Sequence, residues 1–222
     1  MIIFEDDDIL VINKPAGLLT VPDGYNPSLP SVKSILEAKH KKVWIVHRLD
    51  KETSGILIVA KNAISHKSLN AHFAQRKITK TYHAFVAGTP SWSWINITIP
   101  LKINGDRKHR TVPDCSEGKN AETRVVVMFL LGRLSLIEVC PKTGYTHQIR
   151  SHLASIGFPI MGDRLYGTAL SNNIVTESQN YLFLHAFSIN FIHPLTLKPV
   201  SFTAPYPAYW QPFLAQIKNF EF

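Results

Sequence analysis

The run from His47 to Lys61, H-R-L-D-K-E-T-S-G-I-L-I-V-A-K, leads charged side chains directly into a short apolar stretch, and a carboxylate placed there can do chemistry. Asp50 is that carboxylate. An anionic aspartate held beside a reacting bond acts as a nucleophile or as a general base. Ile56 to Ala60 is short and β-branched, so it reads as a buried strand, and Ser54-Gly55 marks the turn before it. Asp50 is then a loop residue anchored on a core element. The same position also suits a structural aspartate that accepts backbone N–H hydrogen bonds or joins an ion pair.

Other segments give the run a context. Asn13-Lys14-Pro15-Ala16-Gly17 with Pro22 precedes it, and Lys80-Thr81-Tyr82-His83-Ala84-Phe85-Val86-Ala87-Gly88 follows it. Further on come Thr143-Gly144-Tyr145-Thr146-His147-Gln148-Ile149-Arg150, then His152, Gly157, Pro159-Ile160, Gly162-Asp163 and Tyr166-Gly167, then Leu184-His185-Ala186, Phe191 and His193-Pro194. In this order, across nearly the whole chain, these segments resemble the motifs of the RluA-type RNA pseudouridine synthases. One departure stands out: Tyr145 occupies a position where that family commonly has Arg.

The resemblance implies an α+β pseudouridine synthase fold, with an extended, mostly antiparallel sheet, flanking helices and a central active-site cleft. It implies isomerisation of uridine to pseudouridine in ribosomal or transfer RNA. That reaction breaks N1–C1′, rotates the uracil, joins C5 to C1′ and releases the C5 proton, with no cofactor. Asp50 is assigned the catalytic role, and Arg150 is its expected partner, since a nearby guanidinium favours the charged carboxylate. Tyr82 would offer a ring for uracil stacking and an oxygen for the C5 proton. Ile149 and Leu184 are candidate walls of the uracil pocket. Extruding a base from folded RNA costs about a few kcal/mol, and Arg48 is the candidate to enter the vacated space.

His47 and Thr53, in the same motif, are further candidate RNA contacts. Read from the residues alone, Arg150 better suits a phosphate or surface contact and Tyr82 a core aromatic, and a structural ion pair is the competing reading of Arg48. Lys102 to Arg110 is a second RNA-facing candidate: Asn104-Gly105-Asp106 marks a turn, and Lys102, Arg107, Lys108 and Arg110 concentrate positive charge around it. A solvated loop is the plainer reading of the same charges.

Rival chemistries find less support. A hydrolase using Ser54, His47 and Asp50 lacks a G-x-S-x-G elbow. A metal site on His147 and His152 has a spacing of five, which is not the one-turn pairing of a helical chelate, so no metal is expected. A catalytically silent RNA-binding module would account for the charge but not for Asp50, Tyr82 and Arg150 together.

The elements that would carry these residues are legible in outline. Strands are expected at Ile2 to Phe4 and Ile9 to Asn13 about an acidic turn. Ser31 is a candidate cap for a short helix, and Asn62 for one that ends near Gln75 with Leu69 and Phe73 facing inward. Alternation places Tyr82 on one face of a strand. Val125 to Leu130 and Leu134 to Val139 form a hairpin about Leu131-Gly132-Arg133. Thr146 is the expected cap of a helix whose Ile149, Leu153 and Ile156 share a face and which Gly157 ends. The polar stretch from Thr168 to Asn180 reads as a surface loop.

Composition is consistent with this reading. The 222 residues are 45% hydrophobic, enough for a sizeable core in a single catalytic domain, with no separate N-terminal RNA-binding domain expected because the motifs begin near Met1. Lys and Arg number 24 against 16 Asp and Glu, a net charge of +8 that favours a polyanionic partner such as RNA. Cys115 and Cys140 are too few for a disulfide framework and are expected to be thiols. Glu5-Asp6-Asp7-Asp8 interrupts the N-terminal apolar run, and no stretch approaches the ~18 apolar residues of a membrane span. A monomer acting in the cytoplasm, without membrane contact, is the expectation.

Overall fold

Asp6 closes the first turn of the chain. Its Oδ1 accepts the N–H groups of Asp8 and Ile9, each at 2.8 Å, and this turn folds β1 (Ile2–Glu5) antiparallel onto β2 (Ile9–Lys14). The computed structural model describes residues 1–40, 42–167 and 181–217. The fold is α+β, in two compact units: Met1–Lys80 with Ala186–Tyr206, and Thr81–His185 with the segment from Pro207. The loop expected between Thr168 and Asn180 lies outside the described residues.

In the first unit the sheet runs β1-β2-β4-β11, where β4 is Ser54–Ala60 and β11 is Leu184–Ile192. The short β3 (Trp44–Ile45) pairs with β4, and β12 (Pro199–Thr203) pairs with β11. Every residue of β4 is buried, as its continuous apolar run from Ile56 to Ala60 requires. Gly55 opens that strand at φ +109°, and a Cβ there would overlap the Ala186 backbone, so only glycine lets β4 approach β11 this closely.

Two helices belong to this unit, and α2 packs on its sheet. In α1 (Val32–His40) Ser31 and Ser34 exchange hydrogen bonds in the manner of a capping box. Asn62 caps α2 (Ala63–Ala74) by accepting the Ser65 N–H at 2.9 Å. Leu69 of α2 is fully buried among Ile9, Val11, Ile56, Ile58 and Phe191, with Phe73 packed beside it. Each such side chain contributes roughly 1.5–3 kcal/mol of burial.

The second unit carries the sheet β5-β10-β9-β6, antiparallel throughout, with β5 at Thr79–Ala87, β6 at Trp94–Ile97, β9 at Thr123–Leu131 and β10 at Leu134–Pro141. Strands β5 and β11 each contain residues of both units. The β9–β10 turn is tighter than expected, because Leu131 still pairs with Leu134 and only Gly132 and Arg133 turn. His83 to Ala87 of β5 are all buried, so this strand is covered on both faces instead of alternating. A ribbon of β7 (Leu101–Lys102) and β8 (Val112–Pro113) stands apart from the sheet.

Phe85, Phe183, Trp210 and Phe213 form the aromatic centre of this unit, with ring centroids 5.0 to 6.0 Å apart. Trp210 precedes α4 (Gln211–Leu214). Helix α3 (Gln148–Ser155) is buried from Gln148 through Leu153. Its N-cap is His147, in a left-handed conformation, and not Thr146. The cause is Gln148, whose Oε1 turns back to accept Tyr145 N–H and Thr143 Oγ1–H and so shapes the entry turn itself. Among the described residues no helix is long and apolar enough to cross a membrane.

Candidate active site

Asp50 sits half-buried on the loop between β3 and β4, and both of its neighbours are tied down. Thr20 Oγ1 accepts the N–H of Leu49 at 3.2 Å and donates to its carbonyl at 2.9 Å, with Leu49 itself buried. On the other side the Lys51 carbonyl accepts Gly17 N–H at 2.9 Å and Lys14 Nζ at 3.0 Å. The Asp50 carbonyl in turn accepts Thr53 N–H. A carboxylate on such a loop has little backbone freedom left, which is what a positioned reactive group needs.

Lys14 is the clamp that sequence reading passed over. It is completely buried at the end of β2, and its Nζ donates to the carbonyls of Pro15, Leu18 and Lys51 at 2.8 to 3.0 Å. Burial pulls its pKa down to about 8, opposed by the negative charges of Asp50 and Glu52. Three converging carbonyls need all three protons, so the ammonium is the form that fits at neutral pH. Replacement by Met leaves the Pro15 and Leu18 carbonyls without this donor, and each orphaned acceptor costs about 1–3 kcal/mol. Lys14→Met is therefore expected to lower unfolding free energy by roughly 2–4 kcal/mol in urea titrations; an unchanged midpoint and slope would reject the clamp.

Two of the candidate RNA contacts are engaged within the fold. His47 Nε2 accepts the Ile58 N–H at 2.9 Å, where β3 has ended, and its ring stacks on Phe73. Burial, with Lys80 adding to it, lowers its pKa to about 3, so it stays neutral and offers no cation to a phosphate. Thr53 is only 2% exposed. Both serve the anchoring of the loop. Arg48, by contrast, is exposed, and among the described residues no carboxylate pairs with it.

Tyr82, Ile149, Arg150 and Leu184 belong to the second unit, on β5, α3 and β11. Ile149 and Leu184 are 7% and 3% exposed and Tyr82 is half-buried. Arg150, 5% exposed, is gripped by Asp163: Nε donates to Oδ2 at 2.7 Å and Nη2 to Oδ1 at 2.8 Å. Asp163 Oδ1 also accepts the N–H groups of Leu165 and Tyr166. Gly162, at φ +70°, makes the turn that delivers this carboxylate, where a Cβ would overlap the Tyr181 carbonyl. The signal for Asp163 was present in the G-D-x-x-Y-G spacing, but its partner was not.

The basic hairpin divides into engaged and open charges. Lys102 pairs with Glu117, and Arg110 with Asp106 at 2.7 Å. Arg107 and Lys108 at the turn are exposed.

Histidine clusters do not favour a metal. His152 Nδ1 meets Thr123 Oγ1 and its Nε2 meets the Ile99 carbonyl, both at 2.9 Å, so the ring is committed to the fold. Asp6, Asp8 and His193 bring ligand atoms within 4.8 Å of one another. Yet His193 Nδ1 accepts two backbone N–H groups while Nε2 faces Asp6 at 2.9 Å, which uses both nitrogens structurally.

Residues 8–155 match a family model described as RNA pseudouridylate synthase. The chain is 37% identical to ribosomal large subunit pseudouridine synthase D of Zymomonas mobilis, over 93% of this chain and 69% of that protein. It is 38% identical to ribosomal large subunit pseudouridine synthase C of Buchnera aphidicola, over 96% of this chain and 69% of that one. Among solved structures it is similar to human RNA pseudouridylate synthase domain containing 1, with TM-score 0.76 and 28% identity over 93% of this chain and 83% of the other.

Proposed function

Because the chain belongs to the RNA pseudouridylate synthase family, we propose that it isomerises uridine in ribosomal RNA, with Asp50 as the catalytic carboxylate. The enzyme class is that of the family, an RNA pseudouridine synthase, which is an isomerase. The observation that carries the role of Asp50 is its loop, pinned through Leu49 by Thr20 and through Lys51 by Lys14 and Gly17. The names of the relatives favour ribosomal over transfer RNA as the substrate class.

In this reading the Asp50 carboxylate assists cleavage of N1–C1′. The uracil turns, C5 bonds to C1′, the C5 proton leaves, and N1, freed from the sugar, takes up a proton. Substrate and product have the same atoms, so no co-reactant is consumed. Arg150 and Tyr82 are the companions that the motif match assigns to the carboxylate, the first as a fixed cation and the second as stacking ring and proton acceptor. Arg48, exposed and without an ion-pair partner among the described residues, suits insertion into the stack when the base is extruded.

Tritium release from C5-labelled uridine in ribosomal and transfer RNA transcripts tests the reading. Release from ribosomal transcripts alone supports it; release only from transfer RNA overturns the substrate class. Binding without release from either RNA would leave a silent RNA-binding module.

The hairpin carries a separate expectation. Removing two phosphate contacts by the double substitution Arg107→Ala, Lys108→Ala should weaken RNA binding and reduce the slope of log affinity against log salt by about 1.5. An unchanged slope would take the hairpin out of the RNA path.

A further inference from the structure

Tyr166 joins two features that the proposed reaction uses separately, the Arg150 guanidinium and the 101–113 hairpin. The Arg150 Cζ lies over the Tyr166 ring at 5.3 Å from its centroid, and the Arg110 Cζ of the hairpin lies over the same ring at 5.7 Å. The phenol oxygen accepts the N–H of Thr111, also of the hairpin, at 2.9 Å, and is 3.2 Å from His147 Nδ1. The backbone completes the connection. Asp163, which grips Arg150, also accepts the Tyr166 N–H, and the Leu165 carbonyl accepts Arg110 Nη1 at 2.7 Å.

The hairpin side of this arrangement is itself ordered. Asp106 accepts the N–H groups of Lys108 and Arg110 and pairs with the Arg110 side chain, so the turn bearing exposed Arg107 and Lys108 is built on the residue that touches Tyr166. Thr111 is buried and donates its hydroxyl to the Thr146 carbonyl, next to the N-cap of α3. Burial raises the Tyr166 phenol to about 12, so it stays neutral through the working pH range. Its contacts are those of a neutral ring with two cations and of a hydroxyl with an amide.

We propose that Tyr166 is a positioning residue that holds the Arg150 guanidinium and the RNA-facing hairpin as one element, so that RNA seated on Arg107 and Lys108 fixes the attitude of Arg150. A tyrosine that merely filled space would need neither the two guanidinium contacts nor the bond from Thr111. The proposal rests on the reading of Arg150 as part of the reaction centre. The ring and the hydroxyl have different jobs in it: the ring steadies Arg150, and the hydroxyl ties down the hairpin.

Tyr166→Phe and Tyr166→Leu separate these jobs when single-turnover tritium release at saturating RNA is measured beside RNA affinity. Tyr166→Phe keeps the ring, and is expected to hold the rate within about 3-fold while weakening RNA binding about 3- to 10-fold. Tyr166→Leu is expected to lower the saturated rate by at least about 10-fold as well. Equal rates in Tyr166→Leu and the unmodified enzyme would overturn the ring's role. A Tyr166→Phe protein unchanged in both measurements, or one that loses as much rate as Tyr166→Leu, would also overturn the proposal. Arg150→Met distinguishes the two levels. If it turns over normally, the reading of the reaction centre falls; if it is inactive while Tyr166→Leu is active, only the coupling falls. Should Tyr166→Leu fail to fold, the split between rate and affinity in Tyr166→Phe still decides.

Discussion

Asp50→Asn should abolish tritium release from C5-labelled uridine, by at least about 10³-fold in single turnover, while the protein stays folded and binds RNA. The amide nearly matches the carboxylate in size, and the backbone restraints on the loop remain, because Thr20, Gly17 and Lys14 hold the backbone of Leu49 and Lys51. What disappears is the anion, with whatever its side chain holds through charge. Neither nucleophilic attack nor proton abstraction is open to a neutral amide at useful rates, so the expectation holds whichever of these Asp50 performs. The control is a thermal melt together with a gel-shift titration of the same RNA. Comparable rates in the two proteins would remove Asp50 from the chemistry, whereas loss of both RNA binding and thermal stability would make it a structural residue.

The second large effect is expected at Asp163. Its side chain is fully buried and holds the guanidinium of Arg150, whose side chain is 6% exposed, through two short parallel bonds. Asn in its place keeps one oxygen but turns an N–H₂ donor toward the donors of the guanidinium or toward the Leu165 and Tyr166 amides. Either way a buried charge or a pair of amides loses its acceptor. Removing one partner of a buried ion pair costs about 3–5 kcal/mol, so Asp163→Asn should shift the urea midpoint by a large fraction of total stability. Turnover should fall as well, in the temperature range where the variant remains folded, if Arg150 works at the reaction centre. A variant with unaltered unfolding would contradict the buried pair, and one with lowered stability but full single-turnover rate would confine Asp163 to the fold.

These two residues differ in how visible they were beforehand. Asp50 stood out because its immediate sequence is informative: a charged run, then Ser54-Gly55, then an apolar strand. Other local signals were equally readable. Asn62 and Ser31 cap the helices they precede, Leu69 faces the core one turn from Phe73, and Gly157 ends α3. Each depends on neighbours within about four residues, where backbone geometry and side-chain period are decided by residue type alone.

Thr146 failed as a cap because Gln148 competed for the same turn with a side chain whose reach is not encoded in periodicity. By sequence, the charged motif around Asp50 makes His47 and Thr53 candidate RNA contacts. Only the pairing of β3 with β4 shows that β3 stops at Ile45, so that a histidine ring must take the Ile58 amide.

Sequence was therefore enough for β1, β2, β4, β5, the β9–β10 hairpin and helices α1 to α3, for the family resemblance, and for the loop that carries Asp50. Tertiary structure decided which groups meet around the candidate site residues: Lys14 with the Lys51 carbonyl, Asp163 and Tyr166 with Arg150, and Arg110 with Tyr166. The physical reason is that local conformation follows from short-range sterics and hydrogen bonding, whereas a buried lysine, arginine or tyrosine takes whichever acceptors and rings the fold brings to it across tens of residues.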